Sequence, residues 1–456
     1  MMQTPGTVPG DVLGVDCTDA PAPCRAPNEP ICKLQCDWSE RTKTVRAARW
    51  KNRPTFDTKG DTGMSGPLAG LRILDFSTLL PGPFATLALA DLGADVIRVE
   101  APTRADPVRR LAPQRHGVSA VHAWLNRNKR SLALDLKQPE AVKIVHRLLR
   151  THDIVVEQFR PGVMARLGLG YDQLRAINPA LIYCSITGYG QDGPYRDRAG
   201  HDLNYLAIAG AASYNGHDHP APLGIQVADI AGGSLHAAVG ILAALAHRHR
   251  TGEGQHVDIS MTDAAFSLNA MAGAAYLAGG HAPRPGSERL NGGSFYDCYA
   301  TADGRHFSVG SLEPQFLQGF CETMGHPEWV ALAQADMPRL KHEIANAFAS
   351  QAFAHWCALF AEVDCCVEPV LTLEEAACHP QLRARRMVVD VPVTGMADTL
   401  PQIAHPVRYS ATPPAYRHAG ETLGRQSHAI LAELGYGDAD VAALAAAGVI
   451  APGEAS

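Results

Sequence analysis

Three short stretches hold residue types that can move a proton. In Gly200-His201-Asp202-Leu203-Asn204-Tyr205 an imidazole stands beside a carboxylate, where a glycine-rich loop ends and a small-residue helical pattern begins. The first N–H groups of a helix have no intrahelical partner, so developing negative charge is well tolerated there. Asp229, within Gln226-Val227-Ala228-Asp229-Ile230-Ala231-Gly232-Gly233-Ser234, stands just before a long apolar helix pattern at 235–249. Glu313, within Ser311-Leu312-Glu313-Pro314-Gln315-Phe316, precedes a proline and is held extended at a helix entry. Each also has a plain structural reading: His201 and Asp202 as cap or surface residues, Asp229 as an N-cap, Glu313 as a first-turn carboxylate favoured by the helix dipole.

These side chains need a frame, and the chain ahead of them supplies one. Residues 71–76 and 95–99 read as strands around a helix at 84–92 closed by Gly93, one βαβ unit. The pattern repeats with strands at 132–136, 153–156 and 181–186 and helices at 139–150 and 171–177; Val142, Val145, Leu148 and Leu149 share one face of the first of those helices. Such alternation predicts an α/β fold with a parallel sheet, helices on both sides, and ligands bound beyond the carboxyl ends of the strands. Residues 188–193 match GxGxxG, but Pro194 carries the chain onward as a loop, so no helix start meets a pyrophosphate. Those glycines mean either a flexible loop or a close approach of backbone to a ligand. A strand at 256–261 and an Ala-rich helix at 263–278 follow. From Asn291 the texture changes: alternation at 294–300, an Asp303-Gly304 turn and a strand at 305–309, with helices at 315–324, 341–350 and 352–362. A Pro-rich crossover at 404–414 and helices at 420–436 and 439–448 close the chain.

The 456 residues allow two or three domains, and 46% apolar with 19% charged residues is ordinary for a globular protein. A net charge of −6 argues against a general nucleic-acid or acidic-membrane binder. The apolar runs at 237–246 and 264–278 read as buried helices, too short or too interrupted to span a bilayer. Eleven cysteines lack paired CxxC spacing, and no signal-peptide pattern opens the chain, which points to reduced thiols in the cytoplasm. Cys17, Cys24, Cys32 and Cys36 cluster without a histidine or a zinc template, so no metal is expected. Residues 1–63 show no sustained hydrophobic period and read as disordered, with Met64 an alternative natural start.

From about Met64 to Ile450 the chain resembles the family III CoA-transferase and racemase superfamily, and within it the α-methylacyl-CoA racemases. The resemblance rests on Pro67-Leu68-Ala69-Gly70-Leu71-Arg72-Ile73-Leu74-Asp75, Pro81-Gly82-Pro83, Leu92-Gly93-Ala94-Asp95, Asn128-Lys129-Arg130-Ser131-Leu132, Leu134-Asp135-Leu136-Lys137, Arg160-Pro161-Gly162 and the Tyr189-Gly190 loop. It implies a doubly wound, Rossmann-like CoA-binding domain at 64–280, a smaller α+β domain at 290–400, and a segment at 401–456 that returns to the large domain. It further implies an interlaced homodimer, which connectivity rules alone would not suggest. By resemblance His201 is a catalytic base, Asp229 the opposing aspartate and Glu313 a supporting glutamate that fixes the His201 tautomer. Leu134, Asp135, Leu136, Lys137, Gln158, Phe159, Arg160, Arg166, Tyr189, Gly190, Gly200, Asn204 and Tyr205 are the implied CoA contacts, with Arg98, Arg104, Lys129 and Arg130 as further positive charge on the ligand side.

Racemising the carbon next to a thioester requires removing a weakly acidic proton from one face and returning one to the other, which takes two positioned acid–base groups. The enolate formed between these steps needs fixed donors, here the backbone N–H groups at the start of the Asp202 helix. No cofactor beyond the CoA of the substrate is expected. In the transferases of the superfamily the aspartate aligned with Asp202 is a nucleophile, usually followed by Gln-Ala where this chain has Leu206-Ala207; the alternative function is therefore transfer of CoA between carboxylic acids through an aspartyl-CoA thioester on Asp202. A third reading is a non-catalytic acyl-CoA-binding protein on the same fold.

Overall fold

The computed structural model describes residues 66–451 except 116, 217 and 218. The expected extension at 1–63 and its four cysteines lie outside the described residues. In chain order the first part contains β1 (Arg72–Asp75), α1 (Pro81–Asp91), β2 (Asp95–Glu100), β3 (Lys129–Ala133), α2 (Pro139–Leu148), β4 (Ile154–Glu157), α3 (Tyr171–Arg175) and β5 (Ile182–Thr187). Then come α4 (Asp202–Ile208), α5 (Ala228–Thr251), β6 (His256–Ser260), α6 (Met261–Ser267) and α7 (Ala270–Gly279).

The six strands form one parallel sheet in the order β3-β2-β1-β4-β5-β6. The order reverses between β1 and β4, so the crevice beyond their carboxyl ends is where a ligand fits. Successive strand residues feed opposite faces. Leu74 and Phe76 pack with Ile144, Val145 and Leu148 of α2, while Ile73 and Val156 pack with Ala85 and Leu89 of α1 and with Ala237 and Ile241 of α5. Burial on both faces is why these strands are continuous apolar runs.

Three local expectations are corrected. Leu134 lies outside the sheet strand, because it bridges Ile450 and the Asp135 N–H donates to Val449 O at 2.8 Å, so β3 ends at Ala133. The helix predicted from 235 begins at Ala228, with a π-helical stretch at Ala228–Leu235. Gly232 and Gly233 are close-packing positions within it rather than breakers: a Cβ on Gly233 would lie 3.0 Å from the Pro81 side chain, and one on Gly232 3.2 Å from Met261 O. The resulting 24-residue helix is long and apolar enough to cross a membrane by length and composition, contrary to the expectation of too short a run. The Ala-rich helix breaks into α6 and α7 at Asn269, whose amide turns inward to donate to Ala209 O at 3.0 Å and accept from Tyr214 Oη at 2.7 Å.

Further along lie β7 (Asp297–Ala300), β8 (His306–Val309), α8 (Pro314–Thr323), α9 (Met337–Ala349), α10 (Phe353–Phe360) and β9 (Val367–Pro369). The three strands form an antiparallel sheet over an aromatic core of Phe307, Phe320, Phe348, Trp356 and Phe360. A hairpin of β10 (Val388–Pro392) and β11 (Thr399–Ile403) was not foreseen. Ile430, Leu431, Val441, Val449 and Ile450 pack back against the α2 face of the large sheet.

Candidate active site

The loop after β5 is shaped by one tyrosine. Tyr205, on the buried side of α4, donates its hydroxyl to Gly200 O at 2.5 Å and meets Tyr189 edge-to-face at 5.4 Å. A Cβ on Gly188 would fall 2.5 Å from the Tyr205 ring, and one on Gly200 2.6 Å, so the ring occupies the space that any larger residue would need. Gly190 has φ +85°, a left-handed conformation suited to glycine, and its N–H donates to Thr187 Oγ1 at 3.0 Å. Gly188 and Gly200 thus serve close packing against Tyr205, while Gly190 and Gly193 supply left-handed turns. Burial, then the Asp229 charge, push the Tyr205 phenol up to about 12.

His201 is the exposed residue at the N-terminus of α4, and its backbone N–H donates to Asn204 Oδ1 at 3.0 Å. The Asn204 side chain is therefore engaged in capping. Asp229, half-buried in the first turn of α5, presents its backbone N–H to Asp202 Oδ1 at 2.9 Å. That bond joins the two helix starts and brings His201, Asp202 and Asp229 together. Burial, reinforced by the Asp202 carboxylate and opposed by His201, raises the Asp229 carboxyl to about 6. A carboxyl in this state can take up and release a proton near neutrality, and it stands beside the His201 imidazole.

Glu313 is exposed at the N-terminus of α8, and among the described residues it shares no hydrogen bond or ion pair with His201. The structure of a single chain does not bring the expected third member to the site. At the switch point Gln158 Oε1 accepts the Gly82 N–H at 3.0 Å, tying the loop after β4 to the start of α1. Phe159 and Leu136 pack against the α2-side core, Leu134 is buried, and Asp135 Oδ1 accepts the Lys137 N–H at 3.1 Å. Lys137, Arg160 and Arg166 are exposed, and among the described residues none has a carboxylate partner. Three other expected ligand-side cations are structural instead: Arg98 pairs with Asp106, Lys129 with Asp75 at 3.2 Å, and Arg130 with Asp95 at 2.8 Å and Glu433 at 2.7 Å. Among the described residues no cluster of His, Cys, Asp and Glu side chains is arranged to hold a metal ion. The sequence reading passed over Glu157 and Ser185, polar residues closing or interrupting otherwise apolar strands.

The profile of CoA-transferase family III matches residues 68–427. The chain belongs to this family. Among family III relatives it is 37% identical to the alpha-methylacyl-CoA racemase of Homo sapiens, over 81% of this chain and 94% of that protein. It is 35% identical to the succinate–glutarate CoA-transferase of Agrobacterium fabrum, over 81% of this chain and 96% of that protein. The crystal structure of a CAIB/BAIF family protein from Brucella suis superposes with a TM-score of 0.69 at 31% identity, covering 81% of this chain and 100% of that one. Family III membership makes this an acyl-CoA-using enzyme; racemase and transferase relatives stand at similar identity, so the choice between those activities rests on the site.

Proposed function

We propose that the enzyme interconverts (R)- and (S)-2-methylacyl-CoA thioesters by two-base exchange of the α-proton. The observation that carries this reading is the Asp229 carboxyl, raised to about 6 and linked through its own backbone to the residue that follows His201. Neutral His201 takes the proton from one face, and Asp229 in its acid form returns one to the other; the reverse reaction exchanges the roles. Each positioned group contributes roughly 10²–10⁴-fold. The enolate oxygen faces the N–H groups at the start of α4, worth roughly 10²–10³-fold. Asp202 serves mainly to hold Asp229, since one of its oxygens accepts that N–H. Residues 134–137, 158–160, Arg166 and the Tyr189-Gly190 loop hold CoA, with the exposed Lys137, Arg160 and Arg166 offered to its phosphates.

The working form in this reading is a homodimer. Ile208, Val239, Met271 and Leu277 on α4, α5 and α7 leave an apolar face uncovered, Met271 at 74% and Leu277 at 73% exposure, and a second copy would bury it. Glu313 would then complete a site on the other protomer. Among the described residues Cys184, Cys298, Cys321, Cys365, Cys366 and Cys378 are reduced thiols, in keeping with a cytoplasmic location.

Deuterium is expected to enter Cα of a 2-methylacyl-CoA in D₂O with no acceptor acid present. The alternative is CoA transfer, favoured by the 35% identity to a transferase and by the place of Asp202 as the first residue of α4. There, no exchange occurs without an acceptor, a free acid receives CoA, and hydroxylamine intercepts the acyl or CoA group on Asp202.

A further inference from the structure

Beneath the two loops assigned to CoA runs a line of polar side chains that the proposed reaction does not use. Glu157, Ser185 and Asp258 occupy matched positions on β4, β5 and β6 and so project from one face of the sheet. Glu157 and Ser185 are buried, at 4% and 1% exposure, whereas His256 and Asp258 lie exposed on the edge strand. Glu157 Oε2 accepts the Phe159 N–H at 2.8 Å and the carboxyl also bonds the Ser185 hydroxyl. Ser185 Oγ is 2.9 Å from His256 Nε2, and Asp258 Oδ2 accepts the Gln191 N–H at 2.9 Å. One end of the line therefore holds the loop at 158–160, and the other holds the loop at 188–191.

The line is satisfied in two proton arrangements. With Glu157 ionised, His256 Nε2–H donates to Ser185 Oγ and the Ser185 hydroxyl donates to Glu157. With Glu157 protonated, its hydroxyl donates to Ser185 Oγ, and Ser185 donates to an unprotonated His256 Nε2. A proton can thus pass between water at the sheet edge and the buried carboxyl without leaving any group unpaired. Burial lifts Glu157 to about 7 against the opposing hydrogen bonds from Ser185 and the Phe159 N–H, with a smaller upward push from the Asp258 charge. The other groups around this line are Tyr183 on the same face of β5, Cys184 on the opposite face, both raised by burial and by the Glu157 charge, and α3, where Tyr171 stacks on His256 at 5.3 Å, Asp172 acts on His256 and Arg175 lies over Tyr171.

We propose that Glu157 is a positioning residue for CoA: the proton it shares through Ser185 with His256 sets the charge beneath the 158–160 and 188–191 loops, so that they hold the anionic ligand tightly when Glu157 is neutral and weakly when it is ionised. This rests on the reading that those loops bind CoA. Calorimetric titration of CoA into the full-length protein between about pH 6 and about pH 8, around the ordinary histidine range, tests it. Affinity of the parent should weaken about five-fold as pH rises, the effect of one charge acting across loop distance at high effective dielectric. Glu157→Gln should retain the tight binding at both ends of the range, apart from the slope of the CoA phosphate itself. Ser185→Ala, which removes a bond favouring the ionised carboxyl, should move the inflection to higher pH. A parent that binds CoA with the same pH slope as Glu157→Gln overturns the proposal alone, as does an inflection unmoved by Ser185→Ala. A parent that binds no CoA at any pH overturns both the proposal and the reading on which it rests.

Discussion

Asp75 and Asp229 are both carboxyls withdrawn from water, and their surroundings drive them in opposite directions. Burial works to raise Asp75, but Lys129, Arg98 and the hydroxyls of Ser77 and Thr86 overcome it and hold the group below its ordinary value. Nearby, Arg98 and Arg109 outweigh burial to bring Glu100 down to about 2. At Asp229 only His201 opposes, among the described residues: burial and the neighbouring Asp202 act in the same sense, and the group rises to about 6. Opposite charges fix a proton state and lock the strands they join, whereas like charges leave a group poised to exchange.

The largest expected effect comes from breaking the lock. Lys129→Met removes the ion-pair partner of the buried Asp75, leaving only the Arg98 charge and the Ser77 and Thr86 hydroxyls to hold it, and should cost about 3–5 kcal/mol in urea unfolding. Breaking the poised pair acts on chemistry instead. His201→Ala and Asp229→Asn should each lower racemisation by roughly 10²–10⁴-fold, while circular dichroism melts stay near those of the parent. Gly188→Ala forces a methyl against the Tyr205 ring and should cost about 1–3 kcal/mol, the usual range for overpacking, with a loss of exchange activity secondary to the displaced loop.

The smallest effects are in pH dependence, and they differ in sign. Glu100 is depressed, so its stabilisation is present above its ordinary value of 4.5 and is lost as pH falls toward about 2. Asp229 is raised from 3.8 to about 6, so its contribution is most favourable at low pH and is lost as pH rises through 6. Asp229→Asn should therefore stabilise the fold slightly above pH 6 and leave it unchanged well below 3.8, a difference that urea midpoints at the two extremes would register.

The sheet was legible because apolar strands and amphipathic helices alternate at the periods their geometry requires. Pro139, for instance, opens α2 at the position its sequence pattern indicated. What local pattern cannot carry is long-range pairing. Leu134 keeps its bond to Glu100 O at 2.7 Å but ends the strand by bridging Ile450, far along the chain. The apolar helix pattern starts after Gly232-Gly233, yet both sit inside α5, where Pro81 and Met261 leave room for no larger residue. Lys129 shows the same limit among the ligand-side cations: its partner Asp75 lies 54 residues away and neutralises it only in the folded chain. His201 and Asp202 could be singled out from one hexapeptide. The bond from the Asp229 N–H to Asp202 spans a loop and is visible only in three dimensions.

The two-base reading is tested most directly by following α-proton wash-out from each pure enantiomer of a 2-methylacyl-CoA in D₂O with His201→Ala and Asp229→Asn. Each variant should fail to racemise yet keep exchange from one enantiomer, and the retained enantiomer should be opposite for the two. Equal loss, or equal retention, of exchange from both enantiomers in both variants would contradict the assignment of His201 and Asp229 to opposite faces of the substrate.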